Sequence, residues 1–158
     1  MNADALIALL GLQPHPEGGW YGETWRAPSD AGERPASTGI YFLLNAGERS
    51  HWHRVDADEL WLFHDGDPLR LSISDDGERV DDHLVLGRDL EGGQRPQAVV
   101  PAGRWQAAEP LGGWTLVSCV VAPGFRFEGF ELAPAGWRPG QGAPDADRVE
   151  AVDPDLDA

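Results

Sequence analysis

The chain has 158 residues, 41% of them apolar, with 20 Gly, 13 Pro and one Cys. That length suits one compact domain with a real core, and the Gly and Pro content implies many turns and short elements. The net charge of −15 argues against a nucleic-acid backbone or an anionic membrane surface as a partner, since both need a basic patch.

All twelve basic residues are Arg, so chemistry that needs a lysine amine is excluded from this chain. Cys119 lies in the apolar run 116–121 and reads as a buried, inert thiol; nothing indicates an oxidising compartment. No apolar stretch approaches the ~20 residues of a membrane span. The N-terminus lacks the pattern of a secretory signal, so the expected location is cytoplasmic.

Residues 2–11 predict a short helix. Asn2 caps it, Leu6, Leu9 and Leu10 make its apolar stripe, and Gly11 ends it in the left-handed conformation. The loop LQPHPEGG (12–19) is stiffened by two prolines around His15 and released by Gly18-Gly19. It reads either as a pocket rim carrying His15 and Glu17 or as a plain connector. Residues 20–26 alternate as a strand, and 38–44 (TGIYFLL) is a β-prone run apolar on both faces.

The stretch GERSHWHRVDADELWLFHDG (47–66) organises the rest. Residues two apart on a strand share a face, so His51 and His53 are expected to project together. Glu59 opens the next strand and can reach them. Strands follow at 69–74 and 80–86 around Asp75-Asp76-Gly77, then at 98–100, 105–108, 114–122 and 125–132. About nine strands with frequent turn signals and almost no helix indicate an all-β sandwich or barrel. From Ala133 on the chain is rich in Pro, Gly and acid and reads as disordered, with Trp137 anchoring its start. The expected organisation is one domain over 1–137 and an acidic tail over 138–158.

Stretch 47–66 resembles the first motif of the cupin superfamily in Gly47, His51-x-His53, Glu59 and Gly66, with a shorter gap than usual after Gly47 and a longer one between His53 and Glu59. The second motif, Pro-x-Gly-x-x-His, is matched by Pro101, Gly103 and Gln106, which stands where the motif has His. A neutral amide is a weaker metal ligand than imidazole. Over residues 9–133 the chain is similar to a group of short single-domain cupins without an assigned reaction. Their marks are PHPEGG (14–19), Ser50-x-x-His53-Arg54-x-x-x-Asp58-Glu59-x-Trp61, the PxGxWQ turn and VAPGFxFExFEL (121–132). The resemblance implies a double-stranded β-helix (cupin jelly-roll barrel) with a short N-terminal helix, usually a homodimer, with a pocket at one end.

Such a barrel is expected to collect Tyr41, His51, His53, Glu59, Trp61, Trp105 and Gln106 around a small polar metabolite, such as a sugar or nucleotide-sugar. Three readings stay open. In a metal-independent isomerase or epimerase, His53 backed by Glu59 is the base and Tyr41 the acid, with Trp61, Trp105, Gln106, His15 and Glu17 binding substrate. In a metal-dependent oxygenase or hydrolase, His51, His53 and Glu59 hold Fe, Mn, Ni or Zn, with Gln106 as a weak fourth ligand. The third reading is a binder without catalysis.

Overall fold

The computed structural model describes residues 1–144. Helix α1 (Ala3–Leu10) opens the chain. The strands are β1 (Gln13–Pro14), β2 (Trp20–Arg26), β3 (Thr38–Leu44), β4 (Ser50–Val55), β5 (Asp58–Gly66), β6 (Leu69–Ser74), β7 (Asp82–Leu86), β8 (Gln97–Val100), β9 (Trp105–Pro110), β10 (Thr115–Ala122) and β11 (Phe130–Leu132). All named strand pairs are antiparallel. They form a six-stranded sheet, β1-β2-β3-β10-β5-β8, and a five-stranded sheet, β11-β4-β9-β6-β7. The fold is the all-β jelly roll with a short N-terminal helix. No helix among the described residues is long and apolar enough to cross a membrane.

Alternation decides what fills the space between the sheets. On β3, Ile40, Phe42 and Leu44 point inward and join Trp61 of β5, Leu69, Leu71 and Ile73 of β6, and Val117 and Cys119 of β10. The opposite face of β3 is also covered, as its apolar pattern requires. There Leu43 and Tyr41 lie under α1 with Leu12, Leu116, Trp20 and Trp114. Asn2 Oδ1 accepts a 2.8 Å hydrogen bond from Ala5 N, and Gly11 closes the helix at φ 65°. The docked stripe is Ala3, which is buried, with Leu6, Ile7 and Leu10, which are half-buried. Leu9 is 71% exposed, because a docked helix presents residues spaced three, four and seven apart and Leu9 falls outside that set.

The outer face of the smaller sheet is sealed by the segment after β11. Trp137 packs on Trp52, Trp105 and Ala107. Its Nε1–H donates to Gly142 O at 3.0 Å, and Gly140 N donates to Gly77 O at 2.9 Å. Residues 133–144 are therefore part of the packed structure, which corrects the expectation of disorder from Ala133. A single buried Trp supplies the apolar surface that the composition of this segment lacks. The rest of the expected acidic tail, 145–158, lies outside the described residues.

Candidate functional site

The hairpin loop 15–19 is built by its glycines. Gly18 and Gly19 hold φ 108° and 81°, a region that L side chains rarely adopt. A Cβ on Gly18 would collide with Arg49 O. His15 N donates to Gly19 O, Gly18 N to His15 O, and His51 N to Glu17 O at 2.7 Å. The loop is thus fastened to the start of β4, and it drives His15 and Glu17 inward to 9% and 8% exposure. Both side chains line an interior cavity.

Strand β4 carries an irregularity that alternation does not foresee. Ser50 pairs with Ala108 and His53 with Gln106, so three steps on β4 match two on β9. This β-bulge shifts the phase of the strand. Ser50 and His53 both reach Glu17: Ser50 Oγ–H donates to Glu17 Oε1 at 2.9 Å, and Glu17 Oε2 lies 3.2 Å from His53 Nε2. His51 is turned away, and its Nε2–H donates to Pro134 O at 2.8 Å.

Two histidines and two glutamates line one small cavity: His15, His53, Glu17 and Glu59. The rest of its wall is mostly apolar, with Ile40, Val55, Cys119, Val121, Phe125 and Phe130. Its free volume is about 20 Å³, room for the centres of one or two water molecules. Burial dominates the electrostatics. Desolvation pushes Glu17 up to about 8, tempered by the Ser50 hydrogen bond. It pushes Glu59 up to about 7, against the pull of His53. It lowers His15 to about 3 and moves His53 downward as well. The Cys119 thiol is raised well above its usual range by the same burial, with Glu59 and Glu17 adding to it, so it is an inert wall group.

The hydrogen bonds assign the protons. His53 Nδ1–H donates to His51 O at 2.7 Å, which leaves Nε2 of the neutral ring as an acceptor. Glu17 Oε2 lies 3.2 Å from that nitrogen, and burial keeps this carboxyl protonated up to about 8. His15 Nδ1 accepts from Glu17 N at 3.1 Å, so its proton is on Nε2. Trp61 Nε1–H, a donor only, binds Gln106 Oε1 at 2.8 Å. That fixes the amide orientation and turns Gln106 Nε2 to donate to Glu59 Oε1 at 2.8 Å.

The expected site is thus rearranged. His53, Glu59, His15 and Glu17 share the cavity, with Gln106 and Trp61 bonded behind Glu59. Tyr41 is not an acid here: it lies on the outer face of β3, its ring 6.3 Å from that of His64. Trp105 is also outside, packed on Trp137 under the Arg54 guanidinium, because it alternates with the inward Gln106. Sequence reasoning gives no role to Ser50, Thr38, Phe125 or Phe130; Ser50 and the two Phe are visible only as members of the motifs.

The residues expected to hold a metal do not fit one. His51 is committed to Pro134 outside the cavity, and Gln106 presents its N–H to Glu59 while its oxygen is taken by Trp61. Among the described residues, no three His, Cys, Asp or Glu side chains are disposed as a metal-binding group.

Residues 4–133 match the family model described as Cupin superfamily (DUF985). A crystal structure of a protein from Shewanella oneidensis is 40% identical, with a TM-score of 0.80 and 85% of each chain covered. A hypothetical protein from Leishmania major is 33% identical, with a TM-score of 0.77, covering 87% of this chain and 90% of the other. Oxalate decarboxylase from Bacillus subtilis is 14% identical with a TM-score of 0.57, covering 75% of this chain and 29% of that one, a likeness of fold alone. No curated protein matches.

Proposed function

We propose that this chain, which belongs to the Cupin superfamily (DUF985) family, is a proton-transferring enzyme of isomerase or epimerase type. Its substrate is a small polar metabolite, a sugar or the sugar end of a nucleotide-sugar. The observation that carries the reading is the 3.2 Å contact of Glu17 Oε2 with His53 Nε2, in the same buried cavity as Glu59.

Isomerisation next to a carbonyl needs a base that takes a proton from carbon and an acid that supports the carbonyl oxygen as charge arrives there. Burial pushes both carboxyls up, and their different partners separate the roles: Glu59 accepts from Gln106, whereas Glu17 accepts from Ser50 and faces His53. Glu59, raised to about 7, is divided between its charged and neutral forms near neutral pH, where a general base works best. Gln106 holds its Oε1, leaving Oε2 for the substrate proton. Glu17, raised to about 8, keeps its proton at neutral pH and donates toward the forming oxyanion, with His53 as its relay partner. A free volume of about 20 Å³ is far too small for a nucleotide moiety, which would remain outside.

Solvent exchange tests the reaction class over many candidate substrates at once. The full chain is incubated in deuterium oxide with a panel of aldoses, ketoses and nucleotide-sugars, and loss of the proton signal beside the carbonyl is followed by NMR. Exchange on at least one compound, abolished in Glu59→Gln and Glu17→Gln variants that keep their fold, is the expected result. Wild-type protein that exchanges nothing in the panel would sink the reading, as would exchange undiminished in both variants.

A further inference from the structure

The outer face of the smaller sheet bears a second recess, unrelated to the interior cavity. It is a groove of about 520 Å³, within the size range of small-ligand sites. Three arginines from separate parts of the chain line it: Arg49 before β4, Arg70 on β6, and Arg138 in the segment that seals the sheet.

The pairing of the arginines sets this groove apart. The chain is strongly acidic, and nearly every described arginine finds an oxygen: Arg34 and Arg126 bind Asp56, Arg54 binds Glu131, Arg79 binds Asp81, Arg88 binds Asp65 and Arg104 binds Asp75. Arg26 binds Glu23, and Arg95 bonds backbone carbonyls. Among the described residues, only Arg49 and Arg138 have no side-chain hydrogen bond or ion pair, and both line this groove. The one carboxylate in the lining, Glu109, is 3.6 Å from Arg70, a loose contact that offsets a single charge. Two guanidiniums therefore face the recess uncompensated, in a molecule whose net charge is −15.

We propose that this groove binds a phosphate monoester of a small organic molecule. A guanidinium stays charged at any physiological pH and offers forked N–H donors that match phosphate oxygens. Two of them balance the dianion of a monoester. Trp52, Trp137 and Val80 give the recess an apolar wall for the organic part. The polar wall is already ordered, since Ser72 Oγ and His83 Nδ1 share a 2.9 Å hydrogen bond and His51 is tied to Pro134. The overall negative charge disfavours a long polyanion, which would extend beyond the groove onto acidic surface.

Calorimetric titration of the full-length chain at constant ionic strength tests this, with inorganic phosphate, ribose 5-phosphate and ribose as probes. Ribose 5-phosphate is expected to bind more tightly than inorganic phosphate, and ribose not at all. Arg49→Gln and Arg138→Gln should each weaken ribose 5-phosphate binding about tenfold, the worth of one charge-assisted hydrogen bond. Both side chains are exposed and unpaired, so neither change threatens the fold. Arg88→Gln, which removes the same charge beside Asp65 and away from the groove, should leave binding unchanged. Absence of binding by either phosphate probe up to about 10 mM overturns the proposal. So does a loss in Arg88→Gln as large as in the groove variants, which would make the effect one of net charge only.

Discussion

Trp61 on β5 and Gln106 on β9 are joined across the two sheets by a 2.8 Å hydrogen bond from the indole Nε1–H to the amide Oε1. The indole can only donate, so it dictates which end of the amide meets Glu59. Replacing Gln106 by Leu removes both bonds. A buried indole N–H without an acceptor costs about 1–3 kcal/mol, which should appear as a lower denaturant midpoint. The Gln106 hydrogen bond also holds the Glu59 value down, so its loss should move that carboxyl further upward in a carbon-detected NMR titration.

Stability should depend on pH in three stages. The buried His15, lowered to about 3, binds fewer protons in the folded state than its unfolded form with a value of 6.5, and His53 shifts in the same direction. Between about 3 and 6.5 His15 makes stability rise with pH, and His53 adds to that rise below 6.5. Glu17 and Glu59, raised from 4.5 to about 8 and about 7, bind more protons when folded, so they make stability fall as pH rises from about 4.5 to 8. The opposing slopes overlap between about 4.5 and 6.5, where a plateau is expected, with a decline above it. Chemical denaturation across this range checks the shape. Glu17→Gln should flatten the decline above 6.5; a decline of unchanged slope would exclude Glu17 as its source.

Gly18→Ala should damage the site more than its small size suggests. The new methyl meets Arg49 O, and φ 108° is strained for any L side chain. Backbone strain of this kind costs about 1–3 kcal/mol before the clash is counted. Gly32 has φ 80° but open space around it, so Gly32→Ala reports the conformational part alone. The difference between their melting temperatures measures how firmly the loop is pressed onto β4.

The segment after β11 should prove structural as far as residue 144. Trp137→Ala removes a side chain that is 7% exposed and touches Trp52 and Trp105, and comparable core truncations cost about 3–5 kcal/mol. A chain ending at Trp137 keeps the indole but loses its bond to Gly142 O and the Gly140–Gly77 bond. It should melt below a chain ending at residue 144. Equal melting temperatures would show that the last turns add nothing.

Much of the fold is legible in the residues because local rules and tertiary packing agree. Asn2 and Gly11 bracket a helix by capping alone, and the two-faced apolar pattern of residues 38–44 announces a strand covered on both sides. His15 and Glu17 stand out as candidates since a Pro- and Gly-bounded loop carries few other reasons for a His and a Glu. The interior position of Glu59 follows from its sharing a strand face with Trp61, two residues on. Tyr41 is misplaced by pattern alone because a strand buried on both faces gives no signal of which face is the interior. Trp137 is undervalued because composition averages over a segment, whereas one indole in a matching recess is enough to order it.

The extra residue in β4 has a consequence for how this chain is compared with its relatives. His51 and His53 form a conspicuous pair in the alphabet of the sequence, yet only the second faces the enclosed chemistry, and its companion there is Ser50. A search keyed to a His-x-His signature would credit the wrong imidazole. Counting instead from the residue opposite Gln106 finds the one that counts.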